Sequence, residues 1–163
     1  MTEPGAARKV LVACIGNPDR GDDGIGALVA EKLAGMLAAG AALLVRSGDM
    51  FSLIEDCAGF DALVCVDAAA PMGVPGRIHR IDLATGELPG ELLAASTHGF
   101  GLADAIGLAR SLACAPPDIV ICGIEGSCFD AGAPMTPEIA AAAEEAAALV
   151  ADEVRRLQER AEG

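Results

Sequence analysis

The chain has 163 residues, 53% of them hydrophobic and only 2% aromatic, and a formal net charge of -13. Such a length carries one domain over residues 1–163 with a real aliphatic core, and the charge excludes the phosphate-neutralising surface a nucleic-acid partner needs and disfavours an anionic membrane face. No apolar run approaches the roughly 18 residues that span a bilayer, and Val10 to Ile15 is too short for a signal-peptide core.

Lys9 to Ile15 is apolar nearly throughout and predicts a strand buried on both faces. Asp23 to Ala39 follows as a helix, with Ile25, Val29, Leu33, Met36 and Leu37 at helical spacing. Ala42 to Arg46 predicts a short strand, Met50 to Cys57 a short helix, and Ala62 to Val66 a third strand, again apolar on both faces. In Gly76 to Asp82, Ile78 and Ile81 are flanked by Arg77, His79 and Arg80, which suits an edge strand. Leu83 to Thr97 carries Gly86, Pro89 and Gly90 and reads as a loop. Gly101 to Ala113 predicts a helix with Leu102, Ile106, Ala109 and Leu112 inward, and Asp118 to Ile124 a fifth strand. Thr136 caps the last helix, with Pro137 at its first position and Glu138 beside the positive end of its dipole. That helix buries Ile139, Ala143, Ala146, Val150, Val154 and Leu157.

Alternating strands and helices with fully apolar central strands imply a three-layer α/β/α sandwich. Its sheet is five-stranded and mostly parallel, of the phosphorylase/hydrolase-like kind. Ligands of such sheets sit beyond the C-terminal strand ends. Six cysteines occur, none in a C-x-x-C pair, and Cys14, Cys65 and Cys122 fall inside predicted strands as small hydrophobes. A reduced, cytoplasmic and monomeric protein is expected.

The densest chemical signal is the loop Gly16-Asn17-Pro18-Asp19-Arg20-Gly21-Asp22-Asp23-Gly24-Ile25-Gly26. Its clustered carboxylates would repel a phosphate, and its spacing matches neither dinucleotide- nor nucleotide-binding glycine motifs. A cation site is the better physical reading. Asp23 is the candidate ligand. Asp22 is a helix cap or a base, and its residue type does not decide between them. Asp67 closes the run Leu63-Val64-Cys65-Val66-Asp67, where a carboxylate points into the crevice above the sheet; a turn-forming Asp is the other reading. His98, in Ser96-Thr97-His98-Gly99, precedes a helix, and Ser96 caps that helix or orients the ring. His79, on the edge strand, is expected to be exposed or partly packed. Two carboxylates and an imidazole from three loops make an O/O/N metal site with open positions, suited to borderline divalent ions including nickel and zinc. No G-x-S-x-G elbow or H-E-x-x-H helix is present.

The loop Gly16 to Gly26 resembles the N-terminal signature of the hydrogenase maturation proteases. The likeness continues through Val64-Cys65-Val66-Asp67-Ala68, Ser96-Thr97-His98 and Gly101-Leu102-Ala103-Asp104. It ends with Gly123-Ile124-Glu125-Gly126 and Met135-Thr136-Pro137, so it spans nearly the whole chain in order. The resemblance implies that Asp23, Asp67 and His98 are the metal-binding residues. It implies an endopeptidase that removes a short C-terminal extension from the large-subunit precursor of a [NiFe] hydrogenase once nickel is inserted. The nickel is then presented by the substrate, and another divalent metal would suit the same donors. Many relatives carry Gly-Thr-x-Gly after the second strand, where this chain has Ser47-Gly48-Asp49-Met50. That departure bears on which large subunit is the partner. Two other readings use the same scaffold: a non-enzymatic nickel-sensing chaperone of the immature large subunit, and a small-molecule hydrolase.

Overall fold

Six consecutive apolar residues, Val10–Ile15, form β1, and every one is buried. The computed structural model describes residues 8–47, 50–83 and 102–160. A 3-10 turn at Gly21–Gly24 leads into α1, Ile25–Leu33. The chain continues through β2 (Ala41–Arg46), α2 (Met50–Asp56), β3 (Ala62–Ala69) and β4 (Ile78–Asp82). Then come α3 (Leu102–Ser111), β5 (Asp118–Glu125), α4 (Pro137–Ala141) and α5 (Ala143–Glu159).

Among the described residues these strands form one five-stranded sheet in the order β2-β1-β3-β5-β4. β2, β1, β3 and β5 run parallel, and only β4 is antiparallel, on β5. Strand alternation splits the core into two faces. Val10, Val12, Cys14, Val64, Val66 and Val120 pack with α1 and α5. Leu11, Ala13, Ile15, Leu63, Cys65 and Ile121 pack with α2 and α3 on the other side. The expected three-layer sandwich is therefore present, with β4 at an edge.

Several boundaries differ from expectation. The first helix stops at Leu33, not Ala39. Ala34 turns extended and Gly35 follows at φ 86, so the chain leaves the helix and Met36 is 45% exposed. α3 ends at Ser111, and the turn at Ala113 (φ 58) leaves Leu112 59% exposed rather than inward. β3 runs on to Ala69, so Asp67 lies within the strand. The last helix is two pieces, broken at Ala142. Thr136 stands at the start of α4, but its side chain makes no cap hydrogen bond there. The expected loop from Leu83 to Thr97 lies, apart from Leu83, outside the described residues.

All six cysteines are free thiols. Burial pushes the Cys14 thiol up to about 12 and Cys122 to about 11, and holds Cys65 well above 9.0. These three are inert as nucleophiles, as their strand positions foretold. Among the described residues no helix is long and apolar enough to cross a membrane.

Candidate active site

The order β2-β1-β3 means the chain leaves β1 toward one neighbour and later returns to its other side. A crevice opens at such a reversal, at the C-terminal ends of the strands. The loop after β1 and the end of β3 both lie there. Packing of the 3-10 turn against β3 brings the Asp23 and Asp67 segments together.

Close approach shapes the loop. Gly16 has φ 148, and a Cβ on it would sit 1.9 Å from the Asp23 carbonyl oxygen, so no side chain fits. Gly26 is equally constrained, since its Cβ would lie 2.4 Å from the Ile15 carbonyl oxygen; α1 thus starts directly against β1. Within the loop, the Asn17 N–H donates to Asp23 Oδ2 at 2.9 Å. The Asp19 N–H donates to Asn17 Oδ1 at 2.9 Å. Asp23 is fully buried.

Asp67 is 6% exposed, and its Oδ1 accepts the Ala68 N–H at 2.8 Å. Alternation sends its side chain to the same face as Leu63 and Cys65, the face that α3 covers. Its cross-strand partner is Gly123. No side chain stands there, and a Cβ added to Gly123 would meet Ala69 Cβ at 3.5 Å. His98, the third expected ligand, lies outside the described residues. Among the described residues no three His, Cys, Asp or Glu side chains gather into a group able to hold a metal. The donors that can be placed are two hard carboxylates, a partial set that suits a divalent ion only with a further ligand.

Asp22 faces a different task from its neighbour. Its Oδ2 accepts the N–H groups of Ser127 and Cys128, each at 2.8 Å, and the Thr136 hydroxyl at 2.8 Å. Its Oδ1 accepts the Thr136 N–H at 2.7 Å. Asp22 N–H in turn donates to the Cys128 carbonyl at 2.8 Å. It is therefore not a cap of the first helix: it brackets the 126–136 loop against the 3-10 turn. The Thr136 hydroxyl is drawn away from capping α4 by the same bracket. Burial alone would raise the Asp22 pKa, but the donors from Cys128, Thr136 and Ser127 outweigh it and hold the carboxylate below its ordinary 3.8.

Glu125 was not singled out by residue type. It is 1% exposed at the end of β5. Its Oε2 accepts the Met72 N–H at 2.9 Å and the Val74 N–H at 2.5 Å, and its Oε1 lies 3.2 Å from His79 Nε2. Burial pushes its pKa up, and those two N–H groups with the His79 ring bring it below 4.5. Glu125 thus pins the turn between β3 and β4. An acid between two glycine-rich positions at a strand end, Gly123-Ile124-Glu125-Gly126, was the available signal. His79 is part-exposed, as expected for its edge position, with its ring on this carboxylate.

Solved structures share this architecture. The hydrogenase maturating endopeptidase HybD from E. coli superposes with a TM-score of 0.71 at 23% identity, covering 91% of this chain and 93% of that one. The [NiFe] hydrogenase maturation protease HycI from Thermococcus kodakarensis KOD1 gives 0.68 at 25% identity, covering 93% and 95%. The hydrogenase 2 maturation peptidase from Thaumarchaeota archaeon SCGC_AB-539-E09 gives 0.68 at 26% identity, covering 90% and 98%. No curated protein sequence matches this chain. Residues 27–153 match the family model described as hydrogenase maturation protease, and with them this chain belongs to the hydrogenase maturation protease family.

Proposed function

We propose that this chain is an endopeptidase that removes the C-terminal extension of a [NiFe] hydrogenase large-subunit precursor after nickel insertion. The observation that carries this reading is the position of Asp23 and Asp67. Both carboxylates are buried, and the segments that carry them pack together near the strand-order reversal of a chain in this family. With His98 they form the ligand set that engages nickel held by the precursor. Nickel so held supplies Lewis-acid polarisation of a nearby carbonyl.

The chain's own residues do the rest. A carboxylate of the pair accepts a proton from the attacking water. The water oxygen bonds to the scissile carbonyl carbon, the C–N bond breaks, and the proton passes to the leaving amine. Asp22 holds the 126–136 loop beside the site, since four donors occupy its two oxygens. Mixing the purified chain with nickel-loaded precursor tests the reading by mass spectrometry. The endopeptidase shortens the precursor by a C-terminal peptide. A chaperone forms a complex of unchanged mass, and a small-molecule hydrolase turns over substrates without any protein partner.

A further inference from the structure

The two edges of the sheet are built differently. β4 carries His79, Arg80 and Asp82, and Arg80 is paired with Glu153 of α5. Charges of this kind guard an edge against stray pairing. β2, at the opposite edge, reads Ala41-Ala42-Leu43-Leu44-Val45 before Arg46, with no charge or proline among the first five. Val45 is 51% exposed.

Hydrogen bonding sets which backbone groups of β2 face outward. The Val10 N–H donates to the Gly40 carbonyl at 3.2 Å and the Gly16 N–H to the Arg46 carbonyl at 2.9 Å. In a parallel ladder this phase turns Ala42, Leu44 and Arg46 toward β1 and Ala41, Leu43 and Val45 away from it. The Ala41 N–H is taken by the Ala38 carbonyl at 3.2 Å. Leu43 and Val45 present N–H and C=O groups to an edge that no strand pairs among the described residues.

This edge leads to the candidate site, because β2 ends where the Gly16 loop begins. Phe51, on the first turn of α2 after β2, is 59% exposed. We infer that the free edge of β2 binds the C-terminal extension of the precursor as an added antiparallel strand, through the outward backbone groups of Leu43 and Val45. The inference rests on the reading of the chain as that endopeptidase.

Polarity follows from position. A chain cleaved at the C-terminal edge of the sheet sends its downstream residues along β2 toward Ala41, opposite to the strand's own direction. From the crevice between β1 and β3 to a strand outside β2 is about 12 Å at the usual strand spacing. About four extended residues span that gap. Pairing therefore begins at about the fifth residue after the scissile bond. Backbone pairing with an uncharged strip selects an extended, mostly apolar tail with loose side-chain demands.

The test places single prolines along the extension of a nickel-loaded precursor and measures kcat and KM with the wild-type chain. Proline removes an N–H, so KM rises about 5-fold at alternate positions from about the fifth onward, with kcat unchanged. In the Val45→Pro chain the outward N–H is gone while the β1 ladder is kept. There KM for unmodified precursor rises by a similar factor. Far-UV circular dichroism and the melting temperature verify that this variant is folded; the proline scan with wild-type chain stands without it. Equal tolerance of proline at every position overturns the inference, as does a wild-type KM in folded Val45→Pro. Sedimentation of the wild type as a dimer, and of Val45→Pro as a monomer with unchanged KM, gives the edge to a second copy and also overturns it. A wild-type chain that leaves nickel-loaded precursor uncut sinks the proposed function itself.

Discussion

Asp22 and Asp23 are adjacent, of one residue type and both fully buried, yet they belong to different parts of the molecule. The Asp22 corner is saturated: four donors from the 126–136 loop converge on its two oxygens. The Asp23 and Asp67 corner takes donors from close by in the chain. The Asn17 N–H donates to Asp23 and the Ala68 N–H to Asp67. A carboxylate held by many backbone donors is a structural bracket, costly to remove and hard to protonate.

The largest separation between the two corners should appear in activity. Asp67→Ala and Asp23→Ala are expected to slow precursor shortening on the order of 100-fold or more, the range lost when a positioned acid–base group is removed. Far-UV circular dichroism should show both variants folded, so the loss is one of chemistry. Wild-type processing by either variant would remove that residue from the chemistry.

The reverse pattern is expected for Asp22→Ala. It strands the N–H groups of Ser127, Cys128 and Thr136, and unfolding free energy should fall by about 3 kcal/mol in a urea titration. Asp22→Asn retains acceptors and should recover part of that loss. If Asp22→Ala is as stable as wild type yet inactive, Asp22 belongs with the catalytic pair after all.

Acid sharpens the same contrast. Asp22 and Glu125 have folded pKa values below their ordinary 3.8 and 4.5. A depressed folded value means the unfolded chain takes up protons first as pH drops. The stability these groups contribute is present above the ordinary values and is lost as pH falls through the folded ones. Wild-type stability should therefore decline below about pH 4.5. The slope should flatten in Asp22→Asn and in Glu125→Gln, read from chemical denaturation at several pH values. The smallest effect is expected for Thr136→Val, which deletes the hydroxyl donor and keeps the N–H. About 1 kcal/mol should be lost with processing nearly intact.

The class of fold could be read from residue order because strand burial is a local property here. Val10 to Ile15 and Ala62 to Val66 are apolar on both faces, which only a sheet covered on both sides accommodates. The alternation in Ile78 to Asp82 likewise identified an edge. Helix ends were less legible. Apolar spacing carried the first helix to Ala39, whereas the backbone turn at Ala34 and Gly35 ends it sooner. The 2.4 Å approach of a Gly26 Cβ to the Ile15 carbonyl likewise shows only once the helix is laid on the strand.

By itself the sequence determined the layered α/β architecture, the inert strand cysteines and the loop of Gly16 to Gly26 as the place to look. These follow from composition and short-range pattern, where hydrophobic periodicity and residue chemistry act within a few positions. Only the tertiary structure decided what Asp22 and Glu125 hold. Asp22 meets Thr136 across 114 positions and Glu125 meets Met72 across 53. Such partners are chosen by strand order and loop packing, and nothing within a few residues of either acid names them. The open edge of β2 was decided the same way, since which backbone groups face outward depends on the register with β1.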